Sequence, residues 1–161
     1  MAAYSLYARE RNLIAQFQRV SLQGAQHLAR SLVSDIYLGD RVKLSRALEI
    51  ARANPTIKHI NLSDANGLSL LTIPEDEGVS KEQEDSFRRA MVSAGGTWIR
   101  AVRGGELDVG GPISTPGGER IGYLHIRFSF AHIQEILDDG AGDIYYAVTL
   151  LCGDDEARLE L

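Results

Sequence analysis

Residues 47–71, ALEIARANPTIKHINLSDANGLSLL, decide how this chain folds. Ala47, Leu48, Ile50 and Ala51 recur at helical spacing until Asn54-Pro55, where proline removes a backbone donor and pushes its predecessor out of the helical region. From Thr56 the period changes to two, and residues 56–63 read as a strand. Asp64-Ala65-Asn66-Gly67 is a polar turn whose Asn-Gly pair is a strong hairpin signal. A second strand follows over 68–73. Helix, strand, tight turn, strand is the opening of an antiparallel sheet.

Upstream, residues 3–38 contain no proline and only Gly24 as glycine. Leu6, Leu13, Phe17, Val20, Leu28, Leu32 and Ile36 step mostly by three and four, which predicts one amphipathic helix. At ~1.5 Å per residue it would be roughly 50 Å long, so its start should project and need a partner helix. Gly39 suits its C-terminal cap and Asp40 the N-cap of a second helix over 41–53, which should bury Val42, Leu44, Leu48, Ile50 and Ala51. Downstream, Ser80 and Gln83 resemble a capping box for a helix over 81–94, and Gly95-Gly96 stops it. Strands follow over 97–103, 107–114 and 120–129, joined at Gly104-Gly105 and Pro116-Gly117-Gly118. A last helix is expected over 130–137. The organisation is therefore a long helix (1–38), a sheet-containing core (39–138) and a tail (139–161) that reads as a sixth strand, an exchanged element or the start of something else. Five consecutive antiparallel strands preceded by helices define an α+β fold, with helices packed on one face and function on the other.

Composition sets outer limits. The 161 residues suit one domain, and 44% hydrophobic with 24% charged residues is ordinary for a globular chain. A net charge of −5 argues against nucleic acid as a partner. Cys152 is the single cysteine, so no disulfide forms within the chain, and a covalent haem or zinc ribbon lacks its motif. No apolar run approaches the ~18–20 residues that cross a bilayer. The N-terminus runs straight into Arg9-Glu10-Arg11 without a signal-peptide pattern, so the chain is either cytoplasmic or a soluble piece of a longer one.

The period of two allows each sheet face to be read. Residues 120–129 put Tyr123, His125 and Arg127 on one side and the apolar Leu124, Ile126 and Phe128 on the other. His59 and Asn61 share a side of the first strand, and Trp98 and Arg100 a side of the third. If these polar sets meet, His59, Asn61, Trp98, Arg100, Tyr123, His125 and Arg127 form a ligand-binding surface with an aromatic floor and two guanidinium forks. A guanidinium matches a carboxylate bidentately, so an amino acid or organic acid is the expected ligand. The alternative is an ordinary solvated sheet face. The four histidines lack metal-ligand spacing, and neither a GxSxG elbow, a P-loop nor a GxGxxG is present. No cofactor, metal or catalytic residue is expected, and the chain does not read as an enzyme.

Two segments carry a family resemblance: LGDRVKLSRALEIARANPTIKHINLSDANGLSLL (38–71) and GGPISTPGGERIGYLHIRFSFAHIQEIL (110–137). Together they resemble the PAS-like extracytoplasmic sensor domains of bacterial signalling receptors, the single Cache (PDC) type. The matching features are a long N-terminal helix, a short helix ending in Asn-Pro, a strand into an Asp-x-x-Gly turn, and Pro112-Ile113, Gly118 and Ile121-Gly122-Tyr123-Leu124. The resemblance implies a PAS-like (profilin-like) sheet of five to six strands and a periplasmic position in an inner-membrane protein whose flanking membrane segments are absent here. It also implies a homodimer through the N-terminal helix and an output domain such as a histidine kinase, a chemotaxis transducer or a diguanylate cyclase. A ligand would then bias the paired helices. The family's amino-acid-binding signature is not clearly matched. Two alternatives stand beside this: a ligand-free dimerisation module of the same fold, and a cytosolic Roadblock-like or profilin-like interaction protein.

Overall fold

The structure, a computed structural model, describes residues 2–74 and 81–131. Helix α1 (Ala2–Tyr37) is continuous, as its three-and-four spacing predicts. Among the side chains described, its buried stripe runs from Leu13 through Phe17, Val20, Ala25, Ala29 and Leu32, while Ala8, Arg9, Arg11 and Asn12 are exposed. Gly39 ends the helix with φ 66° and donates its N–H to Ile36 O at 3.1 Å. The left-handed conformation costs glycine nothing, which is why a glycine stands there.

Helix α2 (Arg41–Arg52) is capped by Asp40, whose carboxylate accepts the Lys43 N–H at 3.1 Å. It buries Leu44 and Leu48, with Ala47 and Ala51 half-buried against the same core. Val42 and Ile50, expected in that core, are instead 70% and 69% exposed. At about 100° per residue, Val42 lies roughly 200° round the helix from Leu44, and Ile50 roughly 200° from Leu48, so one stripe cannot hold all four.

The sheet contains β1 (Ile57–Asp64), β2 (Ser69–Ile73), β3 (Ile99–Arg103), β4 (Glu106–Ser114) and β5 (Arg120–Ser129), with helix α3 (Lys81–Ser93) between β2 and β3. All neighbours are antiparallel, in the order β2-β1-β5-β4-β3. Among the described residues, the last strand in sequence is thus the central one. The expected Asp64–Gly67 turn closes β1 onto β2: Asp64 Oδ1 accepts N–H groups from Asn66 and Leu68, both at 2.9 Å, and Gly67 has φ 85°.

One face of the sheet is apolar. Ile60 and Leu62 of β1, Leu107 and Val109 of β4, and Leu124, Ile126 and Phe128 of β5 are buried beneath α1 and α2. Phe17 of α1 meets Phe128 edge-on at 6.1 Å and Phe130 at 4.9 Å. Each such side chain contributes roughly 1.5–3 kcal/mol on burial. Helices on one face therefore describe α1 and α2. Helix α3 lies on the other face, where Phe87 and Met91 pack with Tyr123, Ile99 and Ala101. Gly110 makes this possible, since a Cβ there would come within 2.6 Å of Phe87 and 2.7 Å of the Met91 sulfur. The expected helix over 130–137, the 139–161 tail with Cys152, and the Ser80 capping box lie outside the described residues, apart from Phe130 and Ala131.

Candidate functional site

Strand alternation places the polar residues of three adjacent strands side by side on the α3 face. His59 pairs with Arg127, Asn61 with His125 and Ser63 with Tyr123 across β1 and β5. Asp108 pairs with Arg127 and Gly110 with His125 across β4 and β5. Five of the seven residues singled out in the sequence, His59, Asn61, Tyr123, His125 and Arg127, are thus brought together, and all are buried.

Their centre is a charge-assisted triad. Asp108 Oδ1 accepts from Arg127 Nε at 2.9 Å and lies 2.8 Å from His125 Nε2. Glu106 adds a weaker attraction, 3.7 Å from Arg127 Nε. Burial alone would raise the Asp108 carboxyl, but the hydrogen bonds from His125 and Arg127 outweigh it and hold the group below the usual carboxylate value. Asn61 forms the second part of the network. Its amide donates to Ser69 at 2.9 Å and Thr72 at 2.7 Å on β2, and its carbonyl accepts from Ser63 at 3.0 Å. Tyr123 closes the other end, its hydroxyl accepting from Arg120 at 3.0 Å.

Helix α3 roofs this surface. Phe87 stacks on His125 with ring centroids 4.3 Å apart. Glu84 reaches His59 Nε2 at 3.8 Å and Arg88 at 3.9 Å, both beyond hydrogen-bond length. Two buried polar atoms here, His59 Nδ1 and Glu84 Oε1, have no hydrogen-bond partner among the described residues. Burial lowers the His59 pKa; Glu84 opposes this, and His125 and Arg127 add to it. Each of these two atoms can accept from an N–H donor, Nδ1 on the side of the ring away from the Nε2 that faces Glu84. The guanidinium of Arg127 bonds Asp108 through Nε, leaving its outer N–H groups without a hydrogen bond among the described residues.

Trp98 and Arg100 do not join this surface. Trp98 precedes β3 and packs against the α1-side core, and Arg100 sits opposite Val109, whose side chain points to that same side. The side chains of β3 that do face α3 are Ile99 and Ala101. The expected convergence of two guanidinium forks is therefore corrected to one, because β3 pairs with β4 in the register that turns its even-numbered residues toward α1. Asp108, Glu84 and Phe87 were not singled out in the sequence. Asp108 was findable, since Asp108, Gly110 and Pro112 alternate with the apolar Leu107, Val109 and Ile113. Glu84 and Phe87 depend on where α3 docks, which no local pattern states. Among the described residues, no group of three His, Cys, Asp or Glu side chains is disposed to hold a metal ion.

No family model matches the chain, and no curated protein is significantly similar in sequence. Among solved structures, the chain is similar to the ligand-binding domain of the Pseudomonas aeruginosa PAO1 amino acid chemoreceptor PctC in complex with GABA. The TM-score is 0.54 at 20% identity, covering 81% of this chain and 66% of that chain. At that identity the likeness is one of fold: a PAS-like fold, α+β, with a long N-terminal helix and a five-stranded antiparallel sheet.

Proposed function

We propose that this chain is the ligand-sensing domain of a bacterial membrane signal-transduction receptor, and that the α3 face of its sheet binds a small zwitterion of the amino-acid type. The observation that carries the reading is the pair of unsatisfied buried atoms, His59 Nδ1 and Glu84 Oε1, beside Arg127 on a face built from fixed donors and acceptors. An ammonium group can donate to either of the first two atoms, and a carboxylate suits the outer guanidinium N–H groups of Arg127, which make no hydrogen bond among the described residues. GABA, the ligand of the similar chemoreceptor domain, carries both groups. His59, Asn61, Tyr123, His125 and Arg127 are the binding residues of this proposal, joined by Glu84. Trp98 and Arg100 are left out of it.

The reading is of a binding module rather than an enzyme. Asp108 shares one oxygen between His125 and Arg127, which spends the carboxylate on neutralising a cation instead of on activating a base. No helix among the described residues is long and apolar enough to cross a membrane. The proposal places the domain in the periplasm, carried by flanking membrane segments, with residues 1–38 pairing as a homodimer and 39–138 as the sensor core. A ligand shifts such a dimer only by its difference in affinity for the two states. One observation favours the alternative of a ligand-free dimerisation module: Phe87 already fills the centre of the polar face by stacking on His125.

The test is a thermal-shift and calorimetric screen of amino acids, amines and organic acids against the parent, His59→Gln and Glu84→Gln. A zwitterion that stabilises the parent and loses its effect in both variants supports the site. Equal stabilisation of all three proteins, or none by any compound, moves the reading to the dimerisation module. Sedimentation of the purified chain addresses the dimer separately, and a monomer at high concentration contradicts helix pairing by this chain alone.

A further inference from the structure

We propose a second small-molecule site on the opposite side of the sheet, in the cleft between α1 and the β3–β4 edge, whose ligand is a small aromatic carboxylate. It does not depend on the reading of the α3 face. The cleft measures about 270 Å³. Helix α1 contributes Gln26, Arg30 and Val33, which fall at i, i+4 and i+7 and so form one stripe. The buried Ala25 and Ala29 beside them keep the helix close to the sheet, while the longer side chains stand at the rim. Ile113 of β4, which belongs to the α1-side core, forms the opposite wall, with Pro112 and Ser114 flanking it along the strand.

Trp98 supplies the aromatic surface, and its place is set by the backbone beneath it. The indole rests on Gly111, where a Cβ would lie 2.2 Å from ring atom Cδ2. Any side chain at 111 would evict the ring, so the glycine pre-organises the wall. Among the described residues, neither Arg30 nor Gln26 makes a hydrogen bond or ion pair. A guanidinium without a partner among the described residues, in one cleft with an indole, has a definite complement. The charge asks for an anion that accepts two parallel N–H bonds, which a carboxylate does. The indole, Val33 and Ile113 ask for a flat apolar body. The volume lies just below the ~300–1,000 Å³ usual for drug-sized ligands, so a single-ring acid is the right size. An amine would meet Arg30 as a like charge.

Such a ligand touches α1 and the sheet at once, so it binds only while α1 is seated and favours that seating. The chain has one tryptophan, so indole fluorescence and the indole N–H resonance report this cleft alone. Benzoate titrated into the parent at millimolar concentration is expected to move both signals saturably, and benzylamine to move neither. Arg30 is exposed and makes no ion pair among the described residues, so Arg30→Gln keeps the parental melting temperature. It should weaken benzoate at least about tenfold through the lost charged pair. His59→Gln should leave benzoate binding unchanged, which separates this site from the α3 face. The proposal is overturned by any of three results: a silent tryptophan, a response that survives Arg30→Gln, or one abolished by His59→Gln.

Discussion

Replacing Asp108 by Asn removes one charge and almost no volume from the centre of the polar face. Asp108 is 3% exposed, and its Oδ1 holds both Arg127 at 2.9 Å and His125 at 2.8 Å. Hydrogen bonds to charged groups contribute about 1.5–3 kcal/mol each. Leaving one member of a buried ion pair without its partner costs about 3–5 kcal/mol. Glu106 stands 3.7 Å from Arg127 Nε and is about one-third exposed, so it offsets part of the loss through a solvent-screened attraction. The expected destabilisation is therefore at the low end, about 3 kcal/mol. For a chain of this size each kcal/mol moves the melting temperature by about 2–4 °C, giving a fall of roughly 6–12 °C. Urea denaturation of the parent, Asp108→Asn, Arg127→Met and the double variant completes a cycle whose coupling should exceed about 1 kcal/mol. A loss below about 1 kcal/mol for Asp108→Asn, or additive single effects, would refute the triad as a coupled unit. Acid gives a second reading of the same group. The folded carboxyl titrates below its unfolded counterpart, so its contribution is present above about pH 4 and is lost as pH falls through the folded value. Asp108→Asn should flatten that part of the acid limb.

His59 titrates in the folded state below its ordinary value, chiefly through burial, so the unfolded chain binds its proton first on acidification. Stability should fall as pH drops below about 6.5, and His59→Gln should remove that slope in denaturation curves taken between about pH 5 and 7. Gly111→Ala drives a methyl into the Trp98 ring and should cost about 1–3 kcal/mol, with a red-shifted indole emission that marks the ring's displacement. Gly67→Ala must hold φ 85° and meets Val92 Cγ2 at 3.3 Å, so a loss of about 1–2 kcal/mol is expected, readable as a lower urea midpoint at unchanged slope.

Local signals carried most of the architecture. Asn54-Pro55, the Asp64–Gly67 turn and the Gly104-Gly105 pair each impose backbone geometry without help from distant residues, and the elements between them form where expected. Alternation then assigned His59, Asn61, Tyr123, His125 and Arg127 to one side of their strands, which is how the polar face was legible. What failed was register and docking. Trp98 and Arg100 lie opposite the face expected for them, because the alternation of β3 says which residues share a side but not which side that is; the pairing of Ile99 with Gly110 decides it. Val42 and Ile50 look like core by composition, yet the width of the buried stripe on α2 excludes them. Glu84 and Phe87 became part of the site through the approach of α3 to Gly110, a contact between residues far apart in sequence.

The two faces of the sheet contribute different things, and β5 joins them. Beneath α1 the side chains are apolar and their burial stabilises the fold directly. On the α3 face the sheet buries an aspartate, an arginine and two histidines, a combination that a set of well-packed apolar residues would match or exceed in stability. Stability is therefore a poor reason for these residues to be there; a rigid array of donors and acceptors is a better one. Asp108 takes Nε of Arg127, which leaves the outer guanidinium N–H groups, His59 and Glu84 as the groups whose hydrogen bonding a newcomer would change. Any movement of that array passes to α1 through the strand itself. His125 and Arg127 point to α3, while Leu124, Ile126 and Phe128, their immediate neighbours in the chain, lie in the core beneath α1. A shift of β5 against β1 or β4 alters both faces together, so coupling between a ligand on one side and the helix on the other requires one strand and no longer path.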